Sequence, residues 1–204
     1  MSLRSKKDSS VRRVILWNLI TLDGFFEGPK SWDLDFHKIV WDEELKQWSM
    51  DQLRSVGALL FGRVTYEGMA AYWTQSEGED ADLMNGIRKF VFSRTLKKAD
   101  WNNTTLVRDH VEPEVSKLKQ QPGKDVYIFG SGNLSSTLMQ HGLIDEYRLA
   151  LVPVLLGQGN LLFKNSPRTA MKLLEAEQLK NGCVILRYAG QNAGAGEGRG
   201  EQEQ

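Results

Sequence analysis

A chain of 204 residues that is 41% hydrophobic and 25% charged has apolar side chains enough for one sizeable core, and is short for two. Its 26 basic and 26 acidic side chains balance. That balance removes the basic surplus that draws proteins to nucleic acid or to anionic membranes and leaves a small molecule as the expected partner.

The single cysteine, Cys183 in the apolar run "CVILRY", cannot form an intramolecular disulfide and suits a reducing cytosol. No apolar run approaches the roughly 18 to 20 residues of a membrane span, and "MSLRSKKDSSVRR" has charge without a signal-peptide core. The expected location is cytoplasmic. Residues 1–10 are polar and basic, and residues 190–204, "GQNAGAGEGRGEQEQ", have almost nothing to bury. Both read as flexible tails around a single domain, residues 11–189.

Within the domain "RVILWNLIT" (13–21) reads as a buried strand. "DEELKQWSMDQLRSV" (42–56) reads as a helix, with Leu45, Trp48, Leu53 and Val56 on one stripe and acids in the first turn. "ALLFG" (58–62) is a short strand, "VTYEGMAAYW" (64–73) a helix, "KFVFS" (89–93) and "TTLV" (104–107) strands, and "PEVSKLKQ" (113–120) a helix ended by Pro122-Gly123. In "VYIFGSGNLSSTLMQHG" (126–142) an apolar run stops at Gly-Ser-Gly and restarts with helical spacing. A long apolar run "EYRLALVPVLLG" (146–157) follows, then "AMKLLEAEQL" and "CVILRYAG", joined at Asn181-Gly182, a good hairpin signal. The alternation predicts an α/β fold of three layers, with a mostly parallel central sheet between helices and an antiparallel C-terminal hairpin.

Three strand ends share a character that suits an anion: "FGRVTYE" (61–67), "FSRTL" (92–96) and "FGSGNL" (129–134). Carboxyl ends of parallel strands lie on one sheet edge, where ligands collect. Gly62, Arg63 and Thr65 at one helix start and Gly130, Ser131, Gly132, Asn133 and Leu134 at another can flank a pyrophosphate, because the first N–H groups of a helix lack partners and the helix dipole is positive there. Ser93 and Arg94 supply a third contact, Arg through its planar two-pronged fork. The same residues also fit ordinary capped turns and a solvated surface arginine. "GSGNLS" lacks the third glycine and the ribose-binding acid of a dinucleotide fingerprint. One cysteine and three scattered histidines offer no zinc spacing, so no metal is expected.

Taken together, "TLDGFFEGP", "LLFGRVTYEGMAAYW", "FVFSRTLKKADWNNTTLV" and "VYIFGSGNLSSTLMQHGLIDEYRLALVPVLLGQGNLLF" resemble the dihydrofolate-reductase-like family that includes the reductase domain of bacterial riboflavin biosynthesis. The resemblance runs in order from about Arg13 to Tyr188. It implies NADPH at the three strand ends: Gly62, Arg63 and Thr65 on the phosphates, Ser93 and Arg94 on the adenosine 2′-phosphate, and Gly130 to Leu134 on the pyrophosphate. It also implies a homodimer. The family holds several reductases, so the resemblance names no substrate. Folate reductases grip the pteridine with a carboxylate on the helix after the first loop, and here Asp33, Asp35, Asp42, Glu43 and Glu44 offer no unambiguous match.

Asp23 in "TLDG" sits near where nicotinamide and substrate meet in that family, as a proton donor or relay, or as an Asx-turn with Gly24. Trp32, Phe36, Trp41 and Trp73 either stack on a flat heterocycle or pack in the core. Gly157 in "PVLLGQG" supplies backbone contacts or only a turn. Two classes of function follow: an NADPH-dependent reductase that acts on a C=N or C=C bond of a small heterocycle such as a pterin or pyrimidine, and a non-catalytic dimeric nucleotide-binding module.

Overall fold

The computed structural model describes residues 11–190. The expected tails fall outside that range except for Gly190, whose N–H donates to the Asp145 carbonyl at 2.8 Å.

Strand β1 (Val14–Thr21) is buried along its whole length. Such a continuous apolar run marks a strand covered on both faces, and the side chains alternate accordingly. Ile15, Trp17 and Leu19 enter one core layer, while Val14, Leu16 and Ile20 enter the other. Strand β2 (Phe25–Glu27) and a 3-10 helix (Asp35–Ile39) lead to α1 (Glu43–Arg54), where the Asp42 carboxylate caps the helix by accepting from Leu45 N–H at 3.0 Å. Next come β3 (Ala58–Gly62), α2 (Arg63–Trp73), α3 (Glu79–Gly86), β4 (Arg88–Phe92) and β5 (Thr104–Val107). Helix α4 (Val111–Lys119) starts two residues before the expected 113, which places Pro113 in the first turn, where its missing N–H costs nothing. Strand β6 (Val126–Phe129) feeds α5 (Gly132–Gln140). Strands β7 (Glu146–Val152), β8 (Asn160–Leu161), β9 (Lys172–Gln178) and β10 (Val184–Ala189) complete the chain.

The main sheet has the order β5-β4-β3-β6-β1-β7-β10-β9, and the first six strands are parallel. Strands β10 and β9 close it as the expected antiparallel hairpin. Helices α1, α2 and α3 bury Leu45, Leu53, Tyr66 and Met84 on one face, and α4 and α5 bury Val115, Leu118, Leu134 and Leu138 on the other. This is the expected three-layer α/β fold. The chain leaves β1, passes to β3, and returns through β6 between them, so the carboxyl ends of β3, β6 and β1 stand side by side. A topological switch of this kind opens a crevice at the strand ends.

The run "CVILRY" does not lie at the sheet edge, since β10 is paired on both sides. The edge strand at this end of the sheet is β9, all seven residues of which are exposed.

Candidate functional site

The crevice holds a cavity of about 1170 Å³ whose walls come from β1, β3, β6, the 3-10 helix and the starts of α2 and α5. That exceeds the 300 to 1,000 Å³ usual for one small ligand.

Two helix N-termini meet at its base. Gly62 caps α2 with extended backbone, and its N–H donates to the Ser131 hydroxyl at 2.9 Å. Gly130 and Ser131 both take left-handed backbone, at φ +64° and +61°. Glycine takes this conformation freely, so the residue that bears its cost is Ser131, held by its bond to Gly62. Within α5 the first bond runs from Ser135 N–H to Ser131 O at 2.9 Å, so the N–H groups of Gly132, Asn133 and Leu134 have no helical carbonyl to meet. A Cβ on Gly130 would stand 3.3 Å from the Thr65 methyl, which sets the two helix starts against each other. Gly62, Arg63, Thr65, Gly130, Ser131, Gly132, Asn133 and Leu134 all line this one cavity.

Ser93 and Arg94 lie outside it, in an adjoining cleft of about 410 Å³ that shares Phe92, Val111 and Thr137 with the main cavity. Arg94 is 81% exposed, and its Nε donates to Asp109 at 2.9 Å, which orients the guanidinium and leaves the other prong of its fork. The Ser93 hydroxyl accepts from Thr95 and Leu96 N–H at 3.2 and 2.9 Å and so shapes the turn.

The aromatic residues divide. Trp32, Trp41 and Trp73 line the cavity. Trp32 lies on α2 where a Cβ on Gly68 would fall inside its indole, so that glycine is required by close approach. Phe36 does not line the cavity: it is 5% exposed and packs in the core beneath the 3-10 helix. Gly157 is likewise outside the lining, with its N–H given to the Asp23 carboxylate at 2.8 Å. Asp23 also accepts from the Thr21 hydroxyl at 2.5 Å and from Leu156 N–H at 3.3 Å. The Thr21 bond above all, then the Gly157 and Leu156 N–H groups, hold this carboxyl below its ordinary range against a desolvation that works the other way. The arrangement ties the end of β1 to the 153–159 turn and does not bring Asp23 to the cavity.

Three cavity residues escaped the sequence reading. Asn18 in β1 accepts the Gly130 N–H on Oδ1 at 2.9 Å, and its Nδ2 is buried without a partner. His37 Nε2 and Ser49 Oγ are the other two orphaned buried side-chain atoms among the described residues, and both residues line the same cavity. Burial pushes the His37 imidazole down to about 4.

Known structures share this fold. A protein from Shewanella sp. PV-4, named as a riboflavin biosynthesis protein, superposes with a TM-score of 0.72 at 18% identity, covering 88% of this chain and 99% of its own. The dihydrofolate reductase of Enterococcus faecalis, solved with NADP(H), gives a TM-score of 0.59 at 11% identity, covering 88% of this chain and 97% of that one. At these identities the likeness is one of fold. The uncharacterized protein YyaP of Bacillus subtilis (strain 168) is 34% identical over 183 residues, 87% of this chain and 94% of its own. Residues 12–185 match the model of the RibD C-terminal domain, and the chain belongs to that family.

Proposed function

We propose that the protein is a cytoplasmic NADPH-dependent reductase of a small heterocycle, a pterin, pyrimidine or related ring. The observation that carries this reading is the joining of two helix N-termini, α2 and α5, by the Gly62–Ser131 hydrogen bond at the base of one cavity. Two positive helix ends with unpaired N–H groups fit a pyrophosphate. The cofactor seen with the fold in E. faecalis dihydrofolate reductase supports the same assignment.

Gly132, Asn133 and Leu134 then donate to the phosphates, Arg63 and Thr65 close the other side, and Arg94 with Ser93 meets the 2′-phosphate. Bound there, NADPH supplies a hydride which, with one proton, saturates a C=N or C=C bond of the substrate and leaves NADP⁺. Trp32 and Trp41 flank the ring and exclude water from it. The test is NADPH titration followed by absorbance decay on adding dihydrofolate, pterins and pyrimidines. Oxidation with one of them is the expected result, whereas tight NADPH binding without oxidation over the whole panel favours a binding module.

Arg94→Ala is expected to weaken NADPH about tenfold, roughly 1.5 kcal/mol, and to leave NADH almost untouched. The value sits low in the range for a charged fork because Arg94 is exposed and shared with Asp109. Equal losses for both cofactors would show that Arg94 does not discriminate.

We also propose a homodimer. Strand β9 is an unpaired sheet edge whose Leu173 and Leu174 are 51% and 47% exposed, and such an edge is a template for a second copy. Light scattering at micromolar concentration is expected to give twice 23.1 kDa. A clean monomer mass overturns the assignment.

A further inference from the structure

Strands β4 and β5 are parallel neighbours with Phe92 opposite Val107, so the turns that follow them leave the same edge of the sheet side by side. Hydrogen bonds lace the two turns together. Ser93 N–H donates to the Val107 carbonyl at 3.0 Å, and Arg94 Nε donates to the Asp109 carboxylate at 2.9 Å. From the other side, the two ends of the Arg108 guanidinium donate to the Leu96 and Lys97 carbonyls at 3.1 and 3.2 Å. The 93–97 turn is thus held twice, by the Ser93 hydroxyl on its N–H groups and by Arg108 on its carbonyls. Ser93, Arg94, Arg108 and Asp109 all line the adjoining cleft of about 410 Å³. Arg108, one residue past β5, is not among the residues that the sequence led us to expect at the cofactor. Its fork goes to main-chain carbonyls of the turn that carries Arg94.

We propose that Arg108 is a positioning residue that sets the preference for NADPH over NADH, by bracing the turn that presents Ser93 and Arg94 to the 2′-phosphate. The proposal rests on the reductase reading in taking NADPH as the ligand. Arg94 is 81% exposed, and an exposed arginine has many rotamers to lose when it grips a phosphate, so its contribution depends on being held beforehand. Asp109 holds its Nε, while Arg108 holds the backbone from which the side chain springs. A two-pronged contact needs the guanidinium plane aligned with the phosphate oxygens, and a turn free to shift loses that alignment. NADH lacks this phosphate, so its affinity does not depend on the turn. Arg108 brings charge to the cleft as well as bonds to the turn, and lysine separates the two: it keeps the charge, but one ammonium does not reproduce a planar fork across two carbonyls.

The experiment is calorimetric titration of NADPH and of NADH into wild type, Arg108→Ala, Arg108→Lys, Arg94→Ala and the double variant Arg94→Ala/Arg108→Ala. Arg108 is exposed, so each variant is expected to fold, and thermal melts verify it. Arg108→Ala is expected to weaken NADPH about fivefold and to leave NADH within about twofold, which lowers the preference. Arg108→Lys should stay within about twofold of Arg108→Ala. The double variant should lose little more than the roughly tenfold of Arg94→Ala alone, because an arginine that acts by placing Arg94 then has nothing left to place. An unchanged preference in Arg108→Ala, equal losses for both cofactors, recovery of NADPH affinity by lysine, or losses that multiply in the double variant overturns the proposal. So does a wild type that binds both cofactors equally, and in each of these cases cofactor binding itself stands. A wild type that binds neither cofactor overturns the reductase reading and the proposal with it.

Discussion

Gly62→Asp is expected to abolish NADPH binding while the melting temperature stays level or rises. Gly62 caps α2 at φ −76° and ψ 165°, a backbone any residue adopts, and a Cβ there would meet nothing closer than the Ser131 hydroxyl at 3.6 Å. Aspartate is among the best N-cap residues, worth a few tenths of a kcal/mol or more over glycine. The same carboxylate would stand between the two helix N-termini, take the donors meant for a pyrophosphate and repel its charge. Two like charges about 4 Å apart near a protein surface repel by several kcal/mol, so a loss of at least about a hundredfold is expected. Gly62→Ser, an uncharged cap, should retain most of the affinity. Gly132→Val separates binding from folding less cleanly, because a Cβ at 132 would stand 3.0 and 3.1 Å from the Phe26 ring, itself part of the cavity wall. Calorimetry paired with thermal melts reads the result. A Gly62→Asp protein that binds NADPH like wild type shows that the phosphates do not lie at the α2–α5 junction.

What the sequence made visible here was what local physics controls. A fully buried strand is a continuous apolar run, and β1 reads as one. An N-cap followed by a periodic stripe reads as a helix, and α1 begins at Asp42 as expected. The Asn-Gly hairpin is equally local: Gly182 takes φ +85° and the Asn181 side chain accepts the Cys183 N–H at 2.9 Å. Helix α3 and the β2–β8 pair are too short or too polar for periodicity to reveal. The left-handed backbone of Ser131 depends on Gly62, 69 positions away, so no local signal foretells it. Phe36 lies within a 3-10 helix and Trp41 just beyond its end, an irregular path with no simple period, and one is buried while the other is half exposed. Asn18 did leave a trace. A lone amide inside the apolar run "VILWNLIT" calls for a partner, and only the fold shows that one of its two polar atoms has none.

At the opposite end of the sheet, Glu146→Gln is expected to cost about 3 to 5 kcal/mol of stability with NADPH affinity unchanged. Glu146 opens β7, paired beside Ile15 at the amino end of the parallel strands, whereas the cavity lies at their carboxyl ends. Its carboxylate is 2% exposed and accepts from Arg13 at 2.7 Å, from Arg148 at 2.7 Å and from Arg187 at 2.8 Å. Replacing the charge with an amide leaves three guanidinium groups around a neutral acceptor, and Arg148 is itself 7% exposed. A group of this kind cannot recover its hydration without opening the sheet. The pH dependence has a definite sign. Burial acts to raise the Glu146 carboxyl, but the bonds from Arg148 and Arg187 outweigh it, so the folded value lies below the ordinary one. The stabilisation is therefore complete above the unfolded value of about 4.3 and is lost as pH falls through the folded value. Urea melts at neutral pH should show the full difference between wild type and Glu146→Gln, and melts in increasingly acidic buffer should show it shrink. Glu175→Gln removes only the half-exposed partner of Arg187 and should cost less than about 1 kcal/mol. Equal losses for the two substitutions, or a Glu146 difference that persists in strong acid, would mean that the three arginines do not draw their hold on the sheet from this carboxylate.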